Sequence, residues 1–520
     1  MSAAAQGAGR LFPLLAALLL TGCSLPPLAG RSTSTALDLP TAQDTRLGRA
    51  LAPDVAAHPE LSGIHALHHP HDAFAARAHL ARAADRTLDV QYYIWRGDTT
   101  GMLLLGELLT AAERGVRVRL LLDDVGTAGL DAQLAALDGH PQIEVRLFNP
   151  FMLRSPKVLG YLADLRRANR RMHNKSFTAD NQASIVGGRN VGDEYFGATT
   201  GVLFADLDVL ALGPVVHDVS ADFDRYWASA SAYPAQDILP AVAPAAAAEL
   251  ADQARTLLAS PAAHDYAQSI QRSDFHRQLL QRELPLEWAR VQMLSDDPAK
   301  GLGRARRDGL LLPQLEAALS KPQRSVDLVS PYFVPTDGGV AAFARLRQAG
   351  VRVRILTNAF EATDVPAVHA GYAKYRRPLL EQGVTLYEMR RLVPDYADEH
   401  KRRLFQRLGS SGSSLHAKTF AVDGARVFVG SLNFDPRSAH LNTELGFLID
   451  SPALAGQLTQ VFDTTVPAQS YQVTLTEDGS LQWRSGLGDL PPVYTTEPHT
   501  TWWSRTLVHV LMWLPIEWLL

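Results

Sequence analysis

The alternation of apolar and polar residues marks out strands first. In "TLDVQYYIW" (87–95) and "SVDLVSPYF" (325–333) the first half of each run is apolar at every second position, the period of a β-strand. A helical stretch follows each, "GMLLLGELLTAAERG" after the first and "GGVAAFARLRQAG" after the second. Both end in glycine, and Gly115 and Gly350 suit the left-handed position that closes a helix. The chain then re-enters apolar runs, "VRVRLLLDD" (116–124) and "VRVRILTNA" (351–359). Strand, helix and strand within roughly 30 residues make a βαβ unit, which needs parallel strands and a right-handed crossover.

Because the unit occurs twice, the pattern predicts a duplicated α/β fold. Two domains related by a pseudo-twofold axis, each a mixed β-sheet flanked by helices, pack side by side with any site at their interface. The first domain spans 61–232 and the second 291–465. Between them the alanine-rich stretch 233–260 opens a helical connector, 233–290. After them "YQVTLTEDGSLQWRS" (471–485) reads as a hairpin turning at Asp478–Gly479, part of a C-terminal segment, 466–520.

Composition narrows the partners. The 520 residues are 46% hydrophobic and 20% charged, with a net charge of −4, which suits a globular protein and disfavours a dedicated nucleic-acid binder. With one cysteine no intrachain disulfide forms. Arg10 precedes the apolar run "LFPLLAALLL", too short to span a bilayer and of signal-peptide length. "LTGC", ending in Cys23, resembles the lipobox of bacterial lipoproteins. That resemblance implies a signal peptide over 1–22, lipidation of Cys23 and a tether over 23–60. It places the protein in the bacterial cell envelope, facing the periplasm, and Ser24 favours the outer membrane.

The candidate chemistry is also doubled. "MHNKSFTADNQASIVGGRN" (172–190) and "LHAKTFAVDGARVFVGSLN" (415–433) share one frame, so His173, Lys175, Asp180 and Asn190 match His416, Lys418, Asp423 and Asn433. Residues i and i+2 of a strand point to one face, so each histidine projects with its lysine. Gly188 and Ser431 are expected to let an anion approach the backbone, Ser431 adding a hydroxyl. Two such clusters face to face suit a tetrahedral oxyanion. The lysines neutralise its oxygens, the asparagines donate to them, one imidazole attacks phosphorus and the other protonates the leaving oxygen. No metal or other cofactor is required.

These motifs match the HKD signature, H-x-K-x4-D-x6-G-[GS]-x-N, of the phospholipase D superfamily. With "SGIHAL", "GGRNVGDEYF", "FADLDVLALG", "DPRSAHLNTELG" and the terminal "LPIEWLL", the chain resembles bacterial cardiolipin synthases of the C type over roughly residues 60–520. The resemblance implies that His173 forms a phosphohistidine and that His416 is the general acid and then base. Glu444 would orient an imidazole, with Asp206 as its first-half counterpart and Asp208 competing for that role. Asp180 and Asp423 would be structural. It implies a phosphatidyltransferase with phospholipid substrates and a lipid alcohol such as phosphatidylglycerol as acceptor. The alternative is hydrolysis to phosphatidic acid, and a nuclease or a non-catalytic lipid binder ranks lower. A monomer working at a membrane surface is expected, with the need for an accessory protein left open.

Three other stretches carry weaker expectations. His58, His65, His68, His69 and His71 read as a solvated loop rather than a metal site. Lys401, Arg402, Arg403 and Arg407 form either a mobile lip for anionic head groups or a solvated loop. "TWWSRTLVHVLMWLPIEWLL" (501–520) reads as a membrane-interface segment, with a tail packed on the core as the alternative.

Overall fold

A computed structural model describes residues 25–520 except 155, 156, 158, 159, 200–202, 244, 282, 392–412, 487–491, 515 and 516. The expected signal peptide, Cys23 and the basic cluster Lys401–Arg407 lie outside the described residues.

The described strands run β1 (Ser62–Leu67), β2 (Thr87–Ile94), β3 (Arg117–Gly126), β4 (Ile143–Phe148), β5 (Ser176–Ala179), β6 (Ala183–Gly187), β7 (Leu203–Ala205), β8 (Asp208–Leu212) and β9 (Ala232–Pro234) in the first half. The second half carries β10 (Glu287–Ser295), β11 (Ser325–Val329), β12 (Arg352–Asn358), β13 (Thr385–Met389), β14 (Ser413–Leu415), β15 (Thr419–Val422), β16 (Arg426–Gly430), β17 (Leu445–Asp450), β18 (Ser470–Leu475), β19 (Leu481–Ser485) and β20 (Val493–Tyr494).

Pairing follows the duplication. In the first half β2, β3 and β4 are parallel, and β5, β6 and β8 extend the sheet antiparallel from β2. In the second half β11, β12 and β13 are parallel, and β15, β16 and β17 extend from β11 in the same sense. The βαβ crossovers are the helices Thr99–Glu113 and Thr336–Gln348, closed at Gly115 and Gly350 with φ of 92° and 82°. The two sheets join where β1 pairs with both β8 and β10, and β10 pairs with β17. Val186, Val209 and Ala211 of the first half share one apolar cluster with Val427, Val429, Phe447 and Ile449 of the second. Burying side chains of this size stabilises a contact by about 1.5–3 kcal/mol each, so the halves have a common core.

Three expected boundaries shift. Residues 25–60 are not a free tether. They include the helices Leu39–Gln43 and Arg46–Ala57, and Leu25, Leu28, Leu47 and Leu51 pack on the first core. Arg31 donates to the carbonyls of Ser229 and Ala232, which Pro/Ser/Thr composition alone does not disclose. The connector is helical, but Leu250, Tyr266, Ile270 and Phe275 belong to the first core, and its last residues start β10. The hairpin at Asp478–Gly479 is β18–β19, and β18 extends the second sheet from β13 rather than decorating it.

The histidine-rich stretch is a loop only in part, with His58, His68 and His69 between elements and the last two exposed. His65 lies in β1, and the helix Pro70–Ala83 starts beside His69 and His71. His58 stacks on Trp288 at 4.2 Å, and His65 Nδ1 lies 2.9 Å from the Pro285 carbonyl. Ring packing and backbone bonding occupy these side chains. No group of three or more His, Cys, Asp or Glu able to hold a metal occurs among the described residues.

Candidate active site

Each motif is a hairpin anchored by its aspartate. Asp180 sits at the β5–β6 turn with φ 52°, a left-handed conformation that Asp tolerates better than most residues. Its carboxylate accepts from the amides of Asp85, Arg86 and Thr87, each at 2.8 Å, at the entrance to β2. Asp423, with φ 57°, accepts from Gln323, Arg324 and Ser325 at the entrance to β11. Each aspartate thus ties the motif hairpin to the first strand of its own βαβ unit.

The histidines and lysines precede β5 and β15 rather than lying within them. Their backbones are engaged by the opposite half instead. Met172 bridges to Thr443, and His173 N donates to the Thr443 carbonyl at 2.9 Å. Reciprocally β14 runs parallel to β7, and His416 N and Ala417 N donate to the Ala205 carbonyl at 2.8 and 2.9 Å. The residues next to Thr443 and Ala205 are Glu444 and Asp206.

The acids therefore cross. Glu444, from the second half, meets His173 at Nδ1···Oε2 2.8 Å, and Asp206, from the first half, meets His416 at Nδ1···Oδ2 2.5 Å. Asp208 takes no part in this. It pairs with Arg77 at 2.8 Å and with Arg189 at 3.4 Å in the buried core.

Both small residues of the motif serve the acids. A Cβ on Gly188 would lie 2.2 Å from Asp206 Oδ1. Ser431, at the matching position, donates its hydroxyl to Glu444 Oε2. Ser438 donates to the other oxygen of Glu444 at 2.8 Å. The expected anion-binding roles of Gly188 and Ser431 are thus corrected. The space in front of the backbone holds a protein carboxylate in one half and a hydroxyl directed at one in the other.

A cavity of about 660 Å³ collects the rest. His173, Asn190 and His416 line it, with Tyr93, Tyr195, Tyr332, Arg437 and the C-terminal Leu519 and Leu520 among its walls. Tyr93 presents its ring edge-on to His173 at 4.8 Å, and Tyr195 does the same to His416 at 5.2 Å. Asn190 receives the Ile94 amide at 3.2 Å and donates to the Tyr195 hydroxyl at 3.0 Å. The lysines are buried behind the histidines, each with Nζ turned back to the carbonyl of its own histidine. Asn433 is buried too, and its Oδ1 has no hydrogen-bond partner among the described residues.

Charge follows from this burial. Desolvation pushes both imidazoles and both ammonium groups down, and the lysine charges press further on both imidazoles and on Lys175; Lys418 falls to about 8. The two acids diverge. Burial pushes Glu444 up to about 7 against the pull of Lys175 and its two serine donors. Asp206 feels the same burial, but His416 and Lys418 beside it overcome that and hold it below its ordinary range.

Sequence reasoning brought His173, Lys175, Asn190, His416, Lys418, Asn433, Glu444 and Asp206 to one region. It did not find Tyr93, Tyr195, Tyr332 or Arg437. Tyr93, Tyr195 and Arg437 sit inside stretches already singled out, "LDVQYYIW", "GGRNVGDEYF" and "DPRSAHLNTELG", but spacing along a chain does not say which ring faces which imidazole.

Several known proteins are similar to this chain in sequence or in fold. A family model described as cardiolipin synthase, PLD-like domain, matches residues 77–227 and 315–466, one copy per half. Cardiolipin synthase C of Escherichia coli (strain K12) is 47% identical over 482 residues, covering 91% of this chain and 100% of that protein. The major cardiolipin synthase of Bacillus subtilis (strain 168) is 26% identical over 74% of this chain and 64% of its own length. Among solved structures, phosphatidylserine synthase of Haemophilus influenzae Rd KW20 shares the fold at 15% identity with a TM-score of 0.50, over 81% of this chain and 91% of that one. On its doubled motif, its duplicated sheet and matches across most of its length, the chain belongs to the cardiolipin synthase family of the phospholipase D superfamily.

Proposed function

We propose that the protein is a phosphatidyltransferase that makes cardiolipin through a phosphohistidine on His173. The observation that carries this reading is the crossed pairing of each imidazole with an acid of the other half around one cavity. With Nδ1 of each ring directed at a carboxylate, Nε2 is the nitrogen available for chemistry.

The divergence of the two acids supports this division of roles. Glu444, held near neutrality by burial, places little charge on His173, which stays an unprotonated nucleophile. Asp206 is a full negative charge that favours the imidazolium of His416. His173 Nε2 attacks phosphorus, and the P–O bond to the departing alcohol breaks as His416 gives that oxygen its proton. His416 then takes the proton of an acceptor alcohol, whose oxygen attacks phosphorus and frees His173. Lys175 and Lys418 set the positive potential around both rings, and an arriving phosphate raises the protonated fraction of each lysine. A phosphatidylglycerol hydroxyl as acceptor yields cardiolipin, whereas water yields phosphatidic acid.

The protein works at a membrane surface as a monomer, anchored through Cys23 in the cell envelope with its body in the periplasm. No helix among the described residues is long and apolar enough to cross a membrane. The test is purified protein with phosphatidylglycerol vesicles and mass analysis of the products. Cardiolipin as the main product supports the reading, and phosphatidic acid alone overturns it. Release of a Cys23→Ser variant from membranes tests the anchor, and unchanged attachment overturns it.

A further inference from the structure

The helix Trp502–Trp513 presents an uncharged apolar face to solvent. Trp502, Trp503, Leu507, Val510, Trp513 and Leu514 are all exposed, Trp513 by 88%. They make up half of the large exposed apolar side chains among the described residues. Only Thr506 and His509 interrupt them, and Arg505 is turned aside to the carbonyl and hydroxyl of Thr500. Contiguous apolar surface of this kind marks a contact with something else.

Its position says with what. The inner side, including buried Val508, packs on the helix Pro366–Ala373. Val365, just before that helix, and Val368 within it line the catalytic cavity. The chain end also reaches the cavity, where Leu519 and Leu520 form part of the wall and Arg437 binds the carbonyls of both. One helical layer and one chain terminus therefore connect the exposed face to the site where a phospholipid must enter. Tryptophan suits that place, because it has an apolar body and a polar edge at the depth of lipid head groups.

We infer that the Trp502–Leu514 face is the surface on which the enzyme lies in the lipid interface, immersed to the depth of its indole rings, with the Leu519–Leu520 end forming the threshold between bilayer and cavity. This rests on the reading of the site as a phosphatidyltransferase and specifies how its substrate arrives. Membrane contact through this face is independent of any lipid at the N-terminus.

Phosphatidylglycerol vesicles with brominated acyl chains provide the probe, since bromine quenches tryptophan fluorescence only at contact. The unmodified protein is expected to be quenched, and W502F/W503F/W513F to lose most of that quenching. L507E/V510E is expected to turn over vesicles about tenfold more slowly while cleaving a monomeric short-chain diester at the original rate. Quenching untouched by the phenylalanine replacements overturns the proposal. So does full vesicle activity in L507E/V510E, and a change of oligomeric state in that variant with vesicle activity intact assigns the face to a second copy of the chain. Quenching as expected with no transfer from either substrate would leave the docking surface standing and remove the assigned reaction.

Discussion

Glu444 reaches from the second half of the chain to His173 in the first, with Oε2 2.8 Å from Nδ1, across 271 residues of sequence. Asp206 makes the converse reach to His416 across 210. Neither half holds a complete histidine–carboxylate pair of this kind on its own.

The crossing gives the two acids separable effects. Asp206→Asn weakens the acid, so it is expected to slow transfer by about 10²–10⁴-fold from a natural phospholipid. From a nitrophenyl ester, whose leaving group needs no proton, the loss shrinks sharply. Glu444→Gln weakens the orientation of the nucleophile and slows both donors alike. Steady-state kinetics with the two donors checks this; leaving-group dependence in Glu444→Gln instead of Asp206→Asn would reverse the roles, and equal dependence in both would remove the distinction.

Glu444 also sets a pH signature in stability. Its folded-state pKa of about 7 lies above its ordinary value of 4.5, so the native state binds the extra proton. The stability linked to this group is complete below pH 4.5 and declines as pH rises through 7, by up to about 3 kcal/mol. Denaturant titrations from pH 4.5 to 7.5 are expected to show Glu444→Gln gaining on the unmodified protein as pH rises. A constant difference between them would contradict the buried, raised carboxyl.

Gly188 is tested by adding one methyl group. Gly188→Ala puts a carbon where Asp206 Oδ1 stands, which moves the carboxylate off His416. Turnover of natural lipid is expected to fall at least tenfold with little change in the melting temperature, because the displaced group is a site residue. Ser431→Ala removes only a hydroxyl donor to Glu444 and is expected to be the milder change.

Asp180 and Asp423 predict the opposite behaviour. Each collects three backbone amides, and hydrogen bonds to a charged group are worth about 1.5–3 kcal/mol apiece. Asp180→Ala is expected to cost several kcal/mol in a denaturant titration while the folded fraction keeps its turnover. Asp423→Ala should cost less, since Asp423 is more exposed than the fully buried Asp180.

Much of this was legible in the chain. The period-two runs at 87–95 and 325–333 and the glycines at 115 and 350 convey local backbone preference, which a sequence carries directly. The identical HxK frames placed two histidines, two lysines and two asparagines in one region for the same reason. The crossing of Glu444 and Asp206 was not legible, because it depends on β14 lying beside β7 and on Met172 meeting Thr443. Those contacts belong to the docking of two halves and leave no periodic trace. Gly188 and Ser431 misled in an instructive way. A small residue before a catalytic site signals close approach of something, and the visitor proved to be a carboxylate of the protein. The first part of the supposed tether was misjudged because Arg31 and Ser32 gain their partners only from residues more than 100 positions away.

The most direct measurement traps the covalent intermediate. A His416→Ala variant, given a nitrophenyl phosphatidyl donor, should lose its nitrophenol and then stall for want of a base to activate the acceptor. Rapid denaturation and peptide mass analysis are expected to find one phosphatidyl group per chain, on His173. A label on any other residue, or nitrophenol release at full rate with no label at all, would contradict a phosphohistidine built between the two halves.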